Sequence, residues 1–152
     1  MKNTSARNMW GDYLDAHLEH AFEDAPKTTY FGDNEKDANE LAVLVKNGIK
    51  KATSHSLLGL QQRKQPLPKI GEFTVVTNWS GEAQCIVRTK KVTLKPYFAI
   101  DASHAEKEGE GDKTLSYWKK IHWAYYTREL AAFNREPKES MIIVFEEFEK
   151  VF

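Results

Sequence analysis

The stretch EAQCIVRTKKVTLK alternates apolar and polar side chains and predicts one long strand over roughly 83–94, which Pro96 ends. Just before it, Phe73, Val75 and Val76 in IGEFTVVTNW predict a second strand, and Ser80-Gly81 supplies a hairpin connection between the two. The chain closes on SMIIVFEEFEKVF, where Ile142, Val144 and Phe145 read as a buried final strand. A further strand follows a helix stop at Asn47-Gly48, in KKATSHSLL. Four or five strands, mostly antiparallel and interleaved with helices, imply an α+β fold whose sheet curls into a small β-barrel.

The helices are read from spacing. Met9, Tyr13, Leu14, Leu18 and Phe22 predict an amphipathic helix over 5–23, packed on the rest of the chain. Leu41, Leu44 and Val45 make the stripe of a second helix over 35–47, which the Asn47-Gly48 pair stops by a left-handed turn. The intervening DAPKTTYFGDN reads as a loop. A short helix is expected at 101–107, and Asp112 or Thr114 caps a long one, TLSYWKKIHWAYYTRELAAF. No repeat or linker divides the chain, so residues 1–152 are expected to form one domain.

Composition removes several function classes. Lys plus Arg and Asp plus Glu both number 22, a net charge of zero that argues against wrapping duplex DNA. The lone Cys85 forms no internal disulfide, and cysteine-rich metal spacing is absent. No run of about 18 apolar residues suits a bilayer, and MKNTSARN has no signal-peptide core. A cytoplasmic setting follows as the expectation. Phosphate-loop, Rossmann and nucleophile-elbow patterns are missing, as is the acidic spacing of a calcium loop, so no cofactor or metal is expected.

Three stretches could carry chemistry. In GIKKATSHSLL, an extended backbone would place Lys50, Ala52 and Ser54 on one side and Lys51, Thr53 and His55 on the other. A turn at its start would instead bring Lys50 and Thr53 together. In HAEKEGEGD, Glu106, Glu108, Glu110 and Asp112 surround two glycines that allow close backbone approach, so a carboxylate there could act as a base or hold a lysine. In YWKKIHWAYY, Trp118, Ile121, His122, Tyr125 and Glu129 share adjoining helical faces; core packing accounts for most of them. His122 has no metal partner at helical spacing, since Tyr126 follows it by four. Bases and aromatics together also allow single-stranded nucleic acid, with Lys50, Lys51, Arg63 and Lys64 near phosphates and Trp118 or Phe31 stacking on a base.

The ordered trio YFGDNEKDANELAVLVKNGIKKATSHSLL, PLPKIGEFTVV and EGEGDKTLSYWKKIHWAYY resembles the bacterial stand-alone ASCH domain proteins, from about Trp10 to the last strand. Larger eukaryotic relatives carry a G-x-K-x-x-E-x-R form, where Thr53 and His55 stand here. The resemblance implies a PUA-like β-barrel with helices across its mouth and a cleft for RNA, nucleosides or nucleotides. Some small bacterial members are acetylcytidine amidohydrolases using a Lys, a Thr and a Glu, which match Lys50, Thr53 and Glu108; Glu110 is a close rival to Glu108. Another member is described as a ribonuclease.

The expected catalytic group is therefore Lys50, Thr53 and Glu108, with Phe31, Asp33, Lys51, Ser54, Arg63, Glu110, Trp118 and His122 as ligand-binding residues. A lysine titrates near 10.4 and must lose its proton to attack a carbonyl. Partial burial and Lys51 are expected to lower that pKa. Lys50 then acts as nucleophile or base, Thr53 orients it or attacks, and Glu108 shuttles a proton. Two other readings stay open: a non-catalytic RNA-binding module, and a cleft for a protein partner. The oligomeric state is left open.

Overall fold

The computed structural model describes all of residues 1–152. Five helices and five strands follow in the order α1 (Thr4–Ala16), β1 (Lys27–Thr29), α2 (Glu35–Lys46), β2 (Ala52–Ser56), α3 (Leu57–Gln62), β3 (Phe73–Thr77), β4 (Ala83–Pro96), α4 (Ala102–Glu108), α5 (Leu115–Ala131) and β5 (Ile142–Lys150). One sheet runs β1-β3-β4-β5-β2, antiparallel throughout except for the parallel β1–β3 pair. The expected α+β class and mostly antiparallel sheet are what the chain forms, although the sheet stops as a half-barrel. Its two edge strands, β1 and β2, do not pair with each other. Helices and loops cover the opening between them.

Local chemistry sets the elements. Asn3 caps α1 by accepting from the Ala6 N–H, and Thr114 caps α5 through Tyr117. The Asp101 carboxylate and the His104 ring make a reciprocal capping box at the start of α4. Ala6, Trp10 and Tyr13 of α1 pack on Phe73, Val75 and Ile86, on one side of the sheet. On the other, Ala42 and Val45 of α2 meet Val76, Cys85, Val87 and Phe148. Trp118 and Tyr126 of α5 close a third cluster with Tyr97, Ile100 and Ile143. No helix is long and apolar enough to cross a membrane.

Three expectations are corrected. Helix α1 ends at Ala16, not near residue 23, because the rings of His17 and His20 fold back on Tyr13; Leu18 and Phe22 are left exposed. The stretch 24–34 holds the short strand β1, and α3 follows β2 directly with Ser56 as its cap. In α2 the fully buried stripe is Ala38, Ala42 and Val45, while Leu41 and Leu44 face a cavity.

Candidate functional site

Where the half-barrel fails to close lies a cavity of about 860 Å³, walled by β1, α2, β2, α5 and the loop after α3. Lys50 reaches it because α2 ends abruptly. Gly48 adopts φ +73°, and the N–H groups of Ile49 and Lys50 both bond the Leu44 carbonyl. The chain reverses there and sends Lys50 inward. This is the turned alternative, so Lys50 and Thr53 share the cavity. Lys51 is exposed and is not among the residues lining it; its backbone instead bonds Lys107 and Phe148.

The acidic partners arrive through two left-handed glycines. Gly109, at φ +68°, ends α4 so tightly against the Ile49 carbonyl that any side chain would collide with it. Gly111, at φ +58°, lies against the Tyr117 ring in the same way. Glu108 and Glu110 are thereby delivered to either side of Lys50. The Lys50 Nζ donates to the Ala52 carbonyl at 2.8 Å, Glu110 Oε2 at 3.0 Å and Glu108 Oε1 at 3.3 Å, which uses all three of its protons.

Glu108 is 1% exposed, and both of its oxygens are occupied. Oε2 accepts from Ser54 Oγ at 2.8 Å and from the Trp118 indole N–H. Oε1 faces Lys50 and, at 3.3 Å, His122 Nε2. His122 Nδ1 lies 2.9 Å from the Trp118 carbonyl, so the ring donates there and turns Nε2 toward Glu108. Glu110 differs: it is partly exposed to the cleft, and only its Oε2 has a partner in the chain. Thr53 also lines the cleft, and its hydroxyl bonds nothing within the chain.

The charges reinforce one another. Burial opposes ionisation of Glu108, but the positive charges of His122 and Lys50 outweigh it and hold the carboxyl well below its ordinary value. Burial likewise opposes the charged forms of His122 and Lys50, yet the carboxylates raise both. The expectation of a lowered lysine pKa is thus overturned. Burial works in that direction, but Glu110 and Glu108 dominate, and Lys50 rests as an ammonium. Glu108, Glu110 and His122 form a donor set of metal-binding type, their ligand atoms lying within 4.8 Å of one another. Lys50 already stands between the two carboxylates and supplies the positive charge a metal would bring.

The other expected residues divide. Phe31 stacks on Phe148 at 6.0 Å and carries the Lys50 ammonium 5.4 Å from its ring centre. Asp33 pairs with Arg128 at 2.7 Å, and Arg63 with Glu129 at 2.8 Å, so both belong to the wall but neither is free. Trp118 offers no face to the cleft: it is buried, stacked on His122 at 4.2 Å. Glu129, which spacing placed on a face of α5 without assigning it to the site, ties Ser56 to Arg63. Sequence reasoning missed Glu146, which accepts from His55 Nε2 at 2.9 Å and Thr89 Oγ1 at 2.6 Å. Glu146 had a legible signal, because it interrupts the inward-facing series Val144, Glu146, Phe148 of a buried strand.

The cavity wall carries eight carboxylates (Asp33, Asp37, Glu40, Glu72, Glu108, Glu110, Glu129, Glu146) against four Lys or Arg (Lys27, Lys50, Arg63, Arg128). Each of those four cations is paired with a wall carboxylate.

Comparison with known proteins agrees with this architecture. The sequence model of the ASCH domain matches residues 27–152. An ASCH domain structure from Lactobacillus crispatus JV V101 superposes with a TM-score of 0.91 at 30% identity, covering 97% of this chain and 94% of that one. A protein structure from Enterococcus faecalis V583 gives 0.88 at 30% identity, covering 97% and 88%. No curated protein matches the sequence.

Proposed function

This chain belongs to the ASCH domain family, a PUA-like fold family associated with RNA binding, and from that premise we propose that its cleft hydrolyses an acyl amide on an uncharged nucleoside of the acetylcytidine type. The observation that carries the choice is the charge of the wall. Phosphates are captured by unpaired Lys or Arg. Here every such cation is neutralised by an adjacent carboxylate, and carboxylates outnumber them two to one. A polyanionic RNA strand would meet repulsion, whereas a neutral base with amide and amino donors would not.

The reaction is carried by Lys50, Thr53 and Glu110, with Glu108 as the residue that positions Lys50. Glu110, through the oxygen left free in the chain, takes a proton from a water that attacks the amide carbonyl. The Thr53 hydroxyl, which has no partner of its own, donates to the developing oxyanion. Lys50 lies beside it as an ammonium, gives a proton to the leaving amine as the C–N bond breaks, and recovers one from Glu110, 3.0 Å away. Glu108 stays ionised and holds Lys50 and His122 in place. The products are a carboxylic acid and the free exocyclic amine.

The test is incubation with N4-acetylcytidine, and with a short RNA carrying the same base, followed by mass spectrometry. The free nucleoside is expected to release cytidine, and the RNA to react far more slowly. Lys50→Met, Thr53→Ala and Glu110→Gln should each cut turnover at least about 100-fold, the range typical of a positioned acid–base or oxyanion group. Unchanged turnover in Lys50→Met would remove the mechanism. Salt-dependent RNA binding with no product would replace it with a non-catalytic RNA module.

A further inference from the structure

We propose that Glu146 and His55 form a second subsite of the same cleft, one that takes the vicinal 2′,3′-diol of a ribose. This rests on the nucleoside reading above. Glu146 sits in the middle strand run of β5, directly opposite Thr53 of β2. Residues paired in this way have Cβ atoms about 5 Å apart, so the carboxylate is a neighbour of the reacting centre. It is buried within the sheet yet lines the cavity, as do His55 and Phe148.

What the pair can recognise follows from its hydrogen bonds. His55 Nε2 and Thr89 Oγ1 each donate to one oxygen of Glu146. An ionised carboxylate has about four lone-pair sites, so two remain. With Nε2–H committed to Glu146, the Nδ1 of a neutral His55 is a further acceptor, and no residue of the chain bonds it. The subsite thus offers acceptors and no spare donor. It suits a ligand with two adjacent donors and rejects an anion.

Glu108, by contrast, has both oxygens filled by four groups of the chain. If the amide lies at Thr53 and Glu110, the donors left on a nucleoside are its sugar hydroxyls. A carboxylate bonding the ribose 2′-hydroxyl is a recurrent solution in nucleotide-binding folds, and the 2′-hydroxyl is what separates ribose from deoxyribose. A site built around a ligand hydroxyl rejects the analogue lacking it, because its own polar groups are then left unpaired.

The experiment is calorimetric titration of the wild type, Glu146→Gln and His55→Gln with cytidine and with 2′-deoxycytidine, both already deacylated so that no turnover intervenes. Thermal unfolding of each variant checks that it is folded. His55 is partly exposed, which makes it the safer replacement. Wild type is expected to bind cytidine at least about tenfold more tightly than the deoxy form. Each variant should shrink that ratio to within about twofold, by weakening cytidine, whose 2′-hydroxyl loses its acceptor, more than deoxycytidine, which keeps only the 3′-hydroxyl contact. Equal affinity of the wild type for the two nucleosides overturns the diol subsite alone. So does a ratio that persists in both variants. Failure of both nucleosides to bind overturns the nucleoside reading as well.

Discussion

The cleft holds two buried carboxylates that are kept ionised by different means. Glu108 is compensated by charge, with Lys50 and His122 on one oxygen and two neutral donors on the other. Glu146 is compensated chiefly by hydrogen bonds, from the His55 ring and the Thr89 hydroxyl. In both, burial raises the pKa and the partners more than reverse it. The first arrangement is rigid and saturated; the second leaves acceptors for something else. A buried carboxylate bound on all sides reads as scaffold, and one with unfilled acceptors beside a cavity reads as recognition.

The sharpest way to break this contrast is to neutralise each acid in turn. Glu108→Gln leaves Lys50 and His122 charged and buried with half their compensation gone, and should cost about 3–5 kcal/mol of unfolding free energy. Glu146→Gln keeps acceptor and donor atoms for Thr89 and His55, and should cost on the order of 1–2 kcal/mol. Urea unfolding of both variants measures the gap. Equal losses would erase the distinction.

A smaller effect separates the clusters by pH. His122 is raised in the folded state, so its contribution is complete below the unfolded value near 6.5 and is lost as pH climbs through the folded one. Glu108 and Glu146 are lowered, so theirs is present above the unfolded value near 4.3 and is lost as pH falls. Stability should form a plateau between these limits. His122→Gln should remove the fall on the alkaline side and shrink, without abolishing, the fall on the acid side, because Lys50 still lowers Glu108 and the partners of Glu146 are untouched. Melting temperatures from pH 4 to 9 in the wild type and the variant decide it. An alkaline fall of unchanged size in the variant would move that loss to another group.

The smallest expected change concerns Tyr126, whose hydroxyl is fully buried without a hydrogen-bond partner. Tyr126→Phe should be neutral or stabilising by up to about 1 kcal/mol, because it removes an unpaid desolvation. A clear loss of stability would mean that the hydroxyl has a partner in solution.

Much of this was legible in the sequence where the cause is local. Asn47-Gly48 announced the helix stop that aims Lys50, and the alternate glycines of EGEGD announced a close backbone approach. The helix of Trp118 and His122 was visible as well. The ionisation state of Lys50 was not, because the carboxylates that raise it lie 58 and 60 residues away. His122 was judged against its own helix, while its acidic partner comes from α4. Trp118 was expected to stack on a ligand, but a ring with His122 at its face and Glu108 on its N–H has no surface left to offer. Leu18 and Phe22 kept helical spacing past the point where a core existed to receive them.

The contact between Gly109 and the Ile49 carbonyl determines how deeply α4 sits, and Glu108 is the residue just before it. One methyl group at Gly109 would lift the end of that helix and admit water between Glu108 and Lys50. The local permittivity would rise, and the mutual attraction that keeps these groups charged would fall in inverse proportion. The electrical character of the cleft is therefore fixed, in part, by a side chain that is missing.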